Sequence, residues 1–205
     1  MRKAAGYAIV TLGAVLLIAA LLLFLHNRNE DISAGLEAES QLVEIQSIIP
    51  RREEETRQTE PDETAPTLSP EMPVIEIDGY GYVGYLSIPA LELELPVMAE
   101  WDYERLRIAP CRQFGSSRTD DLVIAAHNYA SHFGNLKKLE IGSAVNFTDM
   151  EGIENRYEVR SVETLQPTAV DTAQNSGYDL VLYTCTPGGA SRVVAFCDRR
   201  EELGE

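Results

Sequence analysis

Residues 180–196 read LVLYTCTPGGASRVVAF, and this stretch decides how the rest of the chain is interpreted. An apolar run leads into Cys185, breaks at once on Pro-Gly-Gly at 187–189, and resumes after Arg192. Short apolar runs bounded by turn residues predict two strands joined by a tight loop. A cysteine with a purely structural role does not need a turn directly after it. A nucleophile at the end of a strand does need one, because functional sites are usually built where strands pass into loops.

A histidine occupies an equivalent place earlier in the chain. The apolar run at 122–126 ends directly at His127, as the later run ends at Cys185. A thiol attacks as the thiolate and therefore needs a basic or cationic neighbour. His26 adjoins the apolar N-terminus, and His132 lies in the loop after His127. A lone histidine after a strand is more often structural, but the pairing with an equally placed cysteine favours His127 as the partner.

Arg192 opens the strand that follows the Pro-Gly-Gly loop. Strands joined by a short loop are usually neighbours in a sheet, so this guanidinium is expected beside Cys185. There it can hold a carbonyl oxygen and stabilise a developing oxyanion. The alternative is a surface arginine paired with one of the many acids. The other two cysteines, Cys111 in a probable loop and Cys197 at a strand end, are either free buried thiols or paired with each other.

The remainder of the chain after Met72 predicts short strands with few helices. Leucine and glutamate alternate at 91–95, which is typical of a half-buried strand, and two further strands flank a turn at 149–152. Short helices are expected at 102–107 and 132–140. Short strands at intervals of about ten residues predict a mainly β domain that is a closed or nearly closed barrel.

The N-terminal residues 4–25 contain no charged side chain and are long enough to cross a bilayer as a helix. We interpret this run as a membrane anchor that is not cleaved. The alternative is a cleaved signal peptide with a weak cleavage site at 32–34. Arg2 and Lys3 precede the run, so the positive-inside rule places the N-terminus in the cytoplasm and the rest outside.

Residues 26–72 carry 12 acidic and 4 basic side chains, half of a net charge of −16. This composition predicts a solvated, extended acidic tether. Within it, residues 32–49 have an irregular helical pattern and either form a short helix or remain part of the tether. The net charge argues against nucleic-acid binding. The predicted division is an anchor at 1–26, an acidic extracellular linker at 27–72 and a catalytic domain at 73–205.

Three motifs in residues 84–199 together resemble the sortase family of Gram-positive surface transpeptidases. GYLSIPALELELPV is similar to the family's opening strand, and DLVIAAHNYASHFGNLKKLEIGSAVNF to its histidine segment, with Ala126 where a glycine often stands. VLYTC occupies the place of the family's T-L-x-T-C signature, with Val181 in place of the first threonine. Leu182, Thr184 and Cys185 match that signature.

The resemblance implies an eight-stranded β-barrel with one or two short helices and a peptide groove. It implies that Cys185 attacks a C-terminal sorting signal of secreted proteins, that His127 transfers protons, and that Arg192 braces the oxyanion. Thr184 and Asn128 are implied as substrate contacts. The accepting amine belongs to a lipid-linked cell-wall precursor or to a pilin lysine. No cofactor and no metal is expected, since no spaced ligand set stands out among the acids.

Two other functions compete with this interpretation. An L,D-transpeptidase-like cysteine enzyme also sets cysteine against histidine, but its signature has an arginine two residues beyond the cysteine, whereas here the arginine follows seven residues later. The other alternative is a membrane-anchored β-barrel that serves in adhesion or assembly, with an inert Cys185.

Overall fold

The computed structural model describes residues 2–50, 69–168 and 170–200. Nine strands form one sheet: β1 (Ile75–Ile77), β2 (Tyr80–Ile88), β3 (Leu93–Met98), β4 (Cys111–Phe114), β5 (Leu122–Ala126), β6 (Ala144–Asp149), β7 (Glu154–Leu165), β8 (Leu180–Cys185) and β9 (Arg192–Arg199). The helices of this described part are α1 (Arg2–Ile48), α2 (Arg105–Ile108) and α3 (Val170–Gln174), with 3-10 turns at Pro89–Leu91 and Leu136–Lys138.

The sheet closes on itself. Its strand order is β1-β2-β3-β4-β5-β8-β9-β7-β6, and β6 pairs in turn with β2. The eight strands β2 to β9 therefore form a barrel, while the three-residue β1 extends one end of β2. Closure removes the free edges that an open sheet exposes. The predicted mainly β, eight-stranded barrel is confirmed.

Alternate residues of each strand fill the barrel. In β5, Leu122, Ile124 and Ala126 join the central core, and in β8 Leu180 and Leu182 do the same. The intervening residues face outward, because successive side chains of a strand point to opposite faces. This alternation fixes which side chains at the ends of β5 and β8 are available on the outer surface.

The predicted N-terminal anchor is the first part of a single 47-residue helix. Helix α1 is the described helix that is long and apolar enough to cross a membrane. The apolar side chains from Ile9 to Leu25 are exposed, among them Leu12, Leu17 and Leu22. A helix that is apolar on all sides and contacts no protein is suited to lipid contact.

The second part of α1 lies against the barrel, so the segment that the sequence left open between a short helix and an extended tether is helical. Ala34, Ala38, Leu42 and Ile45 recur at helical spacing and are all buried. Residues 27–48 of the predicted linker are therefore helical, because this stripe finds an apolar surface to cover. Residues 51–68 of that linker lie outside the described residues, and the division at residues 26 and 72 stays a prediction.

The short helix expected at 132–140 is instead a series of turns with one 3-10 turn at Leu136–Lys138. Two predictions that concern strands were also wrong. The leucine–glutamate alternation at 91–95 does not form one strand. Pro89 starts a 3-10 turn, Glu92 takes a left-handed conformation, and the strand begins only at Leu93. Cys111, assigned to a loop, instead begins β4, which is held by pairing with β5. No periodic pattern in the sequence marks the late start of β3 at Leu93 or the start of β4 at Cys111.

Candidate active site

Cys185 and Arg192 are neighbours across the hairpin that joins β8 to β9. Cys185 ends β8, Arg192 starts β9, and the two residues are directly paired in the antiparallel register. The loop between them is tight: the Gly189 amide donates to the Thr186 carbonyl at 2.7 Å, and the Thr186 amide donates to the Ser191 carbonyl at 3.0 Å. Gly189 has a φ of +73°, which explains a glycine at this turn.

His127 lies at the same level on the other side of Cys185. Strands β5 and β8 run parallel, with Ala126 opposite Thr184 as their last pair. His127 and Cys185 are the next residues of the two strands. By the alternation of side chains, both point to the outer face of the barrel, as Arg192 does on β9. The structure therefore brings together the three side chains that the sequence predicted to form the reactive group.

All three side chains line one groove on the outer face of the barrel. The groove encloses about 220 Å³, and Ala125, Tyr183 and Val194 form its floor. Aromatic and aliphatic side chains from two segments form its walls: the β3–α2 connection with α2, and the end of β7 through α3. They are Trp101, Tyr103, Leu106, Leu165, Pro167 and Ala173. A concave apolar groove with a few convergent polar groups is the usual form of a binding site for a small ligand or peptide side chain.

The environment of Cys185 differs from that of the other two thiols. All three cysteines are free, and Cys185 alone among them is partly exposed. Burial raises the pKa of Cys111 and that of Cys197 to about 12 each. Thiols with such pKa values are protonated and inert at neutral pH. Cys185 is therefore the cysteine that meets the requirements of a nucleophile.

The electrostatic surroundings keep His127 neutral. Its half-burial lowers the pKa of the imidazole below 6.5, the positive charge of Arg107 lowers it further, and Glu30 of α1 acts in the opposite direction. A base with a lowered pKa is unprotonated at neutral pH and is able to accept the proton of a neighbouring thiol. The Tyr129 ring lies against His127, with 4.9 Å between the ring centroids.

His132 lies behind this site and not in it. Its side chain is fully buried and does not line the groove, and its ring contacts that of Tyr129, with 5.5 Å between the two centroids. Burial and the charge of His127 lower the pKa of His132 to about 4. This position supports the choice of His127 as the reactive histidine.

The two predicted substrate contacts occupy other positions. Thr184 is buried on the inner face, where its hydroxyl donates to the Ala126 carbonyl at 2.9 Å. In this position it ties the ends of β5 and β8 together. Asn128 follows His127 and is half-buried. Neither Thr184 nor Asn128 lines the groove. Their contact with substrate stays a prediction.

Sequence reasoning missed a second polar pair in the groove. The Tyr183 hydroxyl is hydrogen-bonded to Gln113 of β4, and both line the groove beside Cys185. Burial, the largest influence, raises the pKa of Tyr183 to about 12, so its hydroxyl remains protonated. The alternation of β8 marks Tyr183, since it precedes Cys185 by two residues on the same face. Nothing in the sequence marks Gln113.

Comparison with known proteins places this fold and this groove in one family. A sequence model of the sortase domain matches residues 86–200. The comparison with curated proteins found no match. Similar solved structures include sortase A from Corynebacterium diphtheriae, with 21% identity, a TM-score of 0.54, and coverage of 62% of this chain and 64% of that chain.

Two structures of sortase C enzymes are similar to a comparable degree. Sortase C from Streptococcus pneumoniae, described for its pilin substrate specificity, is 23% identical with a TM-score of 0.53, over 58% of this chain and 66% of that chain. Sortase C1 from Streptococcus agalactiae is 25% identical with a TM-score of 0.53, over 62% and 72%. Since the family model covers more than half of the chain, including β5, β8 and β9, this protein belongs to the sortase family.

Proposed function

We propose that this protein is a membrane-anchored cysteine transpeptidase that cleaves a C-terminal sorting signal of secreted proteins. It transfers the new carbonyl to an amine of a cell-wall precursor or a pilin. The observation that carries this proposal is the register of β5, β8 and β9, which places His127, Cys185 and Arg192 on one face of the barrel and in one groove. Membership of the sortase family supports the same reaction class.

The chemistry of acylation follows from these three groups. His127 accepts the proton of the Cys185 thiol, and the sulfur attacks the carbonyl carbon of the scissile peptide. Negative charge develops on the carbonyl oxygen, where the Arg192 guanidinium stabilises it. The carbon–nitrogen bond then breaks, His127 returns its proton to the departing amine, and a thioester on Cys185 remains.

Deacylation reverses these roles with a second amine. The incoming amine attacks the thioester carbon while His127 accepts one of its protons. The carbon–sulfur bond breaks, a new amide bond forms, and the proton on His127 returns to the Cys185 sulfur. The enzyme is regenerated without an external oxidant or metal. Water in place of the amine gives hydrolysis, so the acceptor decides the product.

The anchor matches substrates that are themselves held at a membrane. We propose that α1 spans the cell membrane with its N-terminus in the cytoplasm and its barrel outside, in accordance with Arg2 and Lys3 before the apolar segment. Enzyme and substrate then meet by diffusion in two dimensions.

We expect the purified protein to cleave at least one member of a library of candidate sorting peptides. Mass spectrometry without an added amine should show a hydrolysed peptide, and an added amine should convert it to the amide product. The groove is apolar and of limited volume, so we expect discrimination among the side chains that precede the scissile bond. Labelling with a thiol-reactive probe at neutral pH tests the alternative of a non-catalytic barrel. In that case Cys185 remains unmodified, whereas a reactive Cys185 is labelled.

We expect Arg192→Lys to reduce kcat/KM by about 100-fold, the usual loss when one oxyanion donor is removed. Lysine keeps the positive charge but lacks the planar fork of donors. In the free protein this fork donates to the carbonyls of Gly189 and Ser191, at 3.2 and 3.1 Å, which holds it at the rim. Steady-state kinetics on sorting peptides measure the effect.

Arg160→Lys is the matched control for this substitution. Arg160 lies on β7 and pairs with Glu158 and Asp198 at the surface, away from the groove. Surface ion pairs of this kind contribute little to stability, so its kcat/KM should equal that of the wild type. Wild-type turnover by the Arg192→Lys variant, with its melting temperature unchanged, would assign Arg192 to the surface and remove it from the mechanism.

A further inference from the structure

Helix α1 contacts the loop that carries His127. Six residues after the apolar segment ends at Leu25, Asp31 reaches residues 130–131 of that loop. Six helical residues span about 9 Å along the helix axis. The anchor and the histidine loop are therefore joined near the point where the helix leaves its apolar segment. The reaction derived above assigns no role to this contact.

The Asp31 carboxylate accepts three hydrogen bonds from the loop. The backbone amides of Ala130 and Ser131 donate to it at 3.2 and 3.0 Å, and the Ser131 hydroxyl donates at 2.7 Å. Partial burial acts to raise the pKa of Asp31, but the hydrogen bonds from Ser131 and Ala130 outweigh it and hold the pKa below its ordinary value. Asp31 is thus ionised at neutral pH, and these are charge-assisted bonds.

Small residues allow the helix to approach this closely. Ala34 is 4% exposed, and Gly35 faces Ser131 across the contact. A Cβ added at Gly35 would lie 3.0 Å from the Ser131 Cβ, closer than ordinary contact distance. A side chain at this position requires Ser131 to shift by a few tenths of an ångström. The helix and the loop are therefore fitted to each other and do not merely lie side by side.

The loop transmits this contact to His127 through a compact turn. The His127 carbonyl accepts the Phe133 amide at 3.1 Å, and the Tyr129 carbonyl accepts the amides of His132 and Gly134 at 3.0 and 2.8 Å. The Tyr129 ring contacts the His127 ring on one side and the buried His132 ring on the other. Residues 127–134 are therefore one packed unit. Displacement of its outer side at 130–131 shifts Tyr129, on which the His127 ring rests.

We propose that Asp31 is a positioning residue for His127. It holds the histidine loop against α1, so that the imidazole stays aligned with Cys185 without any contact between Asp31 and the substrate. This inference rests on the proposed function, since it concerns the same histidine. Misplacement of a catalytic group by about 1 Å is enough to lower the rate of the chemical step by about 100-fold.

The test uses the full chain in detergent micelles or nanodiscs. In Asp31→Ala we expect kcat to fall by about 10- to 100-fold while KM changes by less than about threefold, because the groove itself is untouched. Asp31→Asn keeps one amide oxygen as an acceptor for the loop amides and should recover a large part of kcat. Glu39→Ala is the matched control, since Glu39 is an exposed acid of the same helix, and its kcat should equal that of the wild type.

A readout independent of turnover separates this inference from the proposed function. The imidazole NMR signals of His127, assigned by their loss in His127→Ala, should shift or broaden in Asp31→Ala and remain unchanged in Glu39→Ala. If the wild-type protein turns over no sorting peptide, the proposed function is rejected. The NMR comparison then still shows whether Asp31 positions His127. Wild-type kcat and unshifted His127 signals in Asp31→Ala overturn the positioning role, and so does an equal loss of kcat in Glu39→Ala. If Asp31→Ala does not fold, Ser131→Ala, which removes one of the three donors, is subject to the same two outcomes.

Discussion

Cys185→Ala should abolish both transpeptidation and formation of the thioester intermediate. Alanine supplies no nucleophile, so the remaining rate should lie at least about 10⁴-fold below that of the wild type, as expected when a covalent mechanism loses its reacting atom. The barrel should be unaffected, because Cys185 ends β8 at the rim and is partly exposed. Mass spectrometry of the intact protein, incubated with a sorting peptide and no amine, measures the thioester directly.

Cys111→Ala is the matched control for the nucleophile. Cys111 is fully buried, and its thiol donates to the Ala109 carbonyl at 3.4 Å. Its removal should lower the melting temperature slightly and leave kcat/KM close to the wild-type value. A thiol-reactive probe should modify one cysteine in the folded wild type and none in Cys185→Ala. Retained activity in Cys185→Ala would remove the central assignment.

His127→Ala should reduce kcat by about 10³-fold, within the range observed for loss of a general acid–base residue. The lowered pKa of His127, caused first by burial, keeps it neutral and able to accept the thiol proton at neutral pH. Its removal leaves Cys185 without a base on the strand alongside it. Single-turnover kinetics with a sorting peptide measure the acylation step, in which this loss should appear in full.

His132→Ala distinguishes the reacting histidine from the buried one. His132 is fully buried behind Tyr129, so its truncation leaves a cavity and should lower the melting temperature. Its effect on kcat, measured on the folded protein, should be far smaller than that of His127→Ala. Equal losses, or a larger loss in His132→Ala, would show that the wrong histidine has been chosen.

The candidate site was largely predictable because its residues follow local patterns. An apolar run that ends in a reactive side chain and a turn predicts a strand end, and this pattern marks both His127 and Cys185. The short loop to Arg192 predicts a hairpin, and the register confirms that Arg192 is paired with Cys185. The sequence did not say that β5 and β8 are parallel neighbours, which alone brings His127 beside Cys185.

The errors arose where one segment is shaped by another. The alternation at 91–95 predicted a strand, but Pro89 and the left-handed Glu92 delay the strand until Leu93. Cys111 begins a strand because β4 pairs with β5, not because its own residues alternate. The acidic composition around residues 27–48 left a short helix and an extended tether equally open, and the barrel surface decides for the helix because it covers four small or apolar side chains at helical spacing.

The sequence by itself determined the apolar N-terminal helix, the mainly β domain and the candidate for the nucleophile, because each depends on composition and periodicity within a short segment. The tertiary structure decided which side chains meet. The contact of Asp31 with Ser131 joins residues 100 positions apart, and the bond of Thr184 to Ala126 joins residues 58 apart. Such contacts depend on the register and closure of the whole barrel, and no local pattern records them.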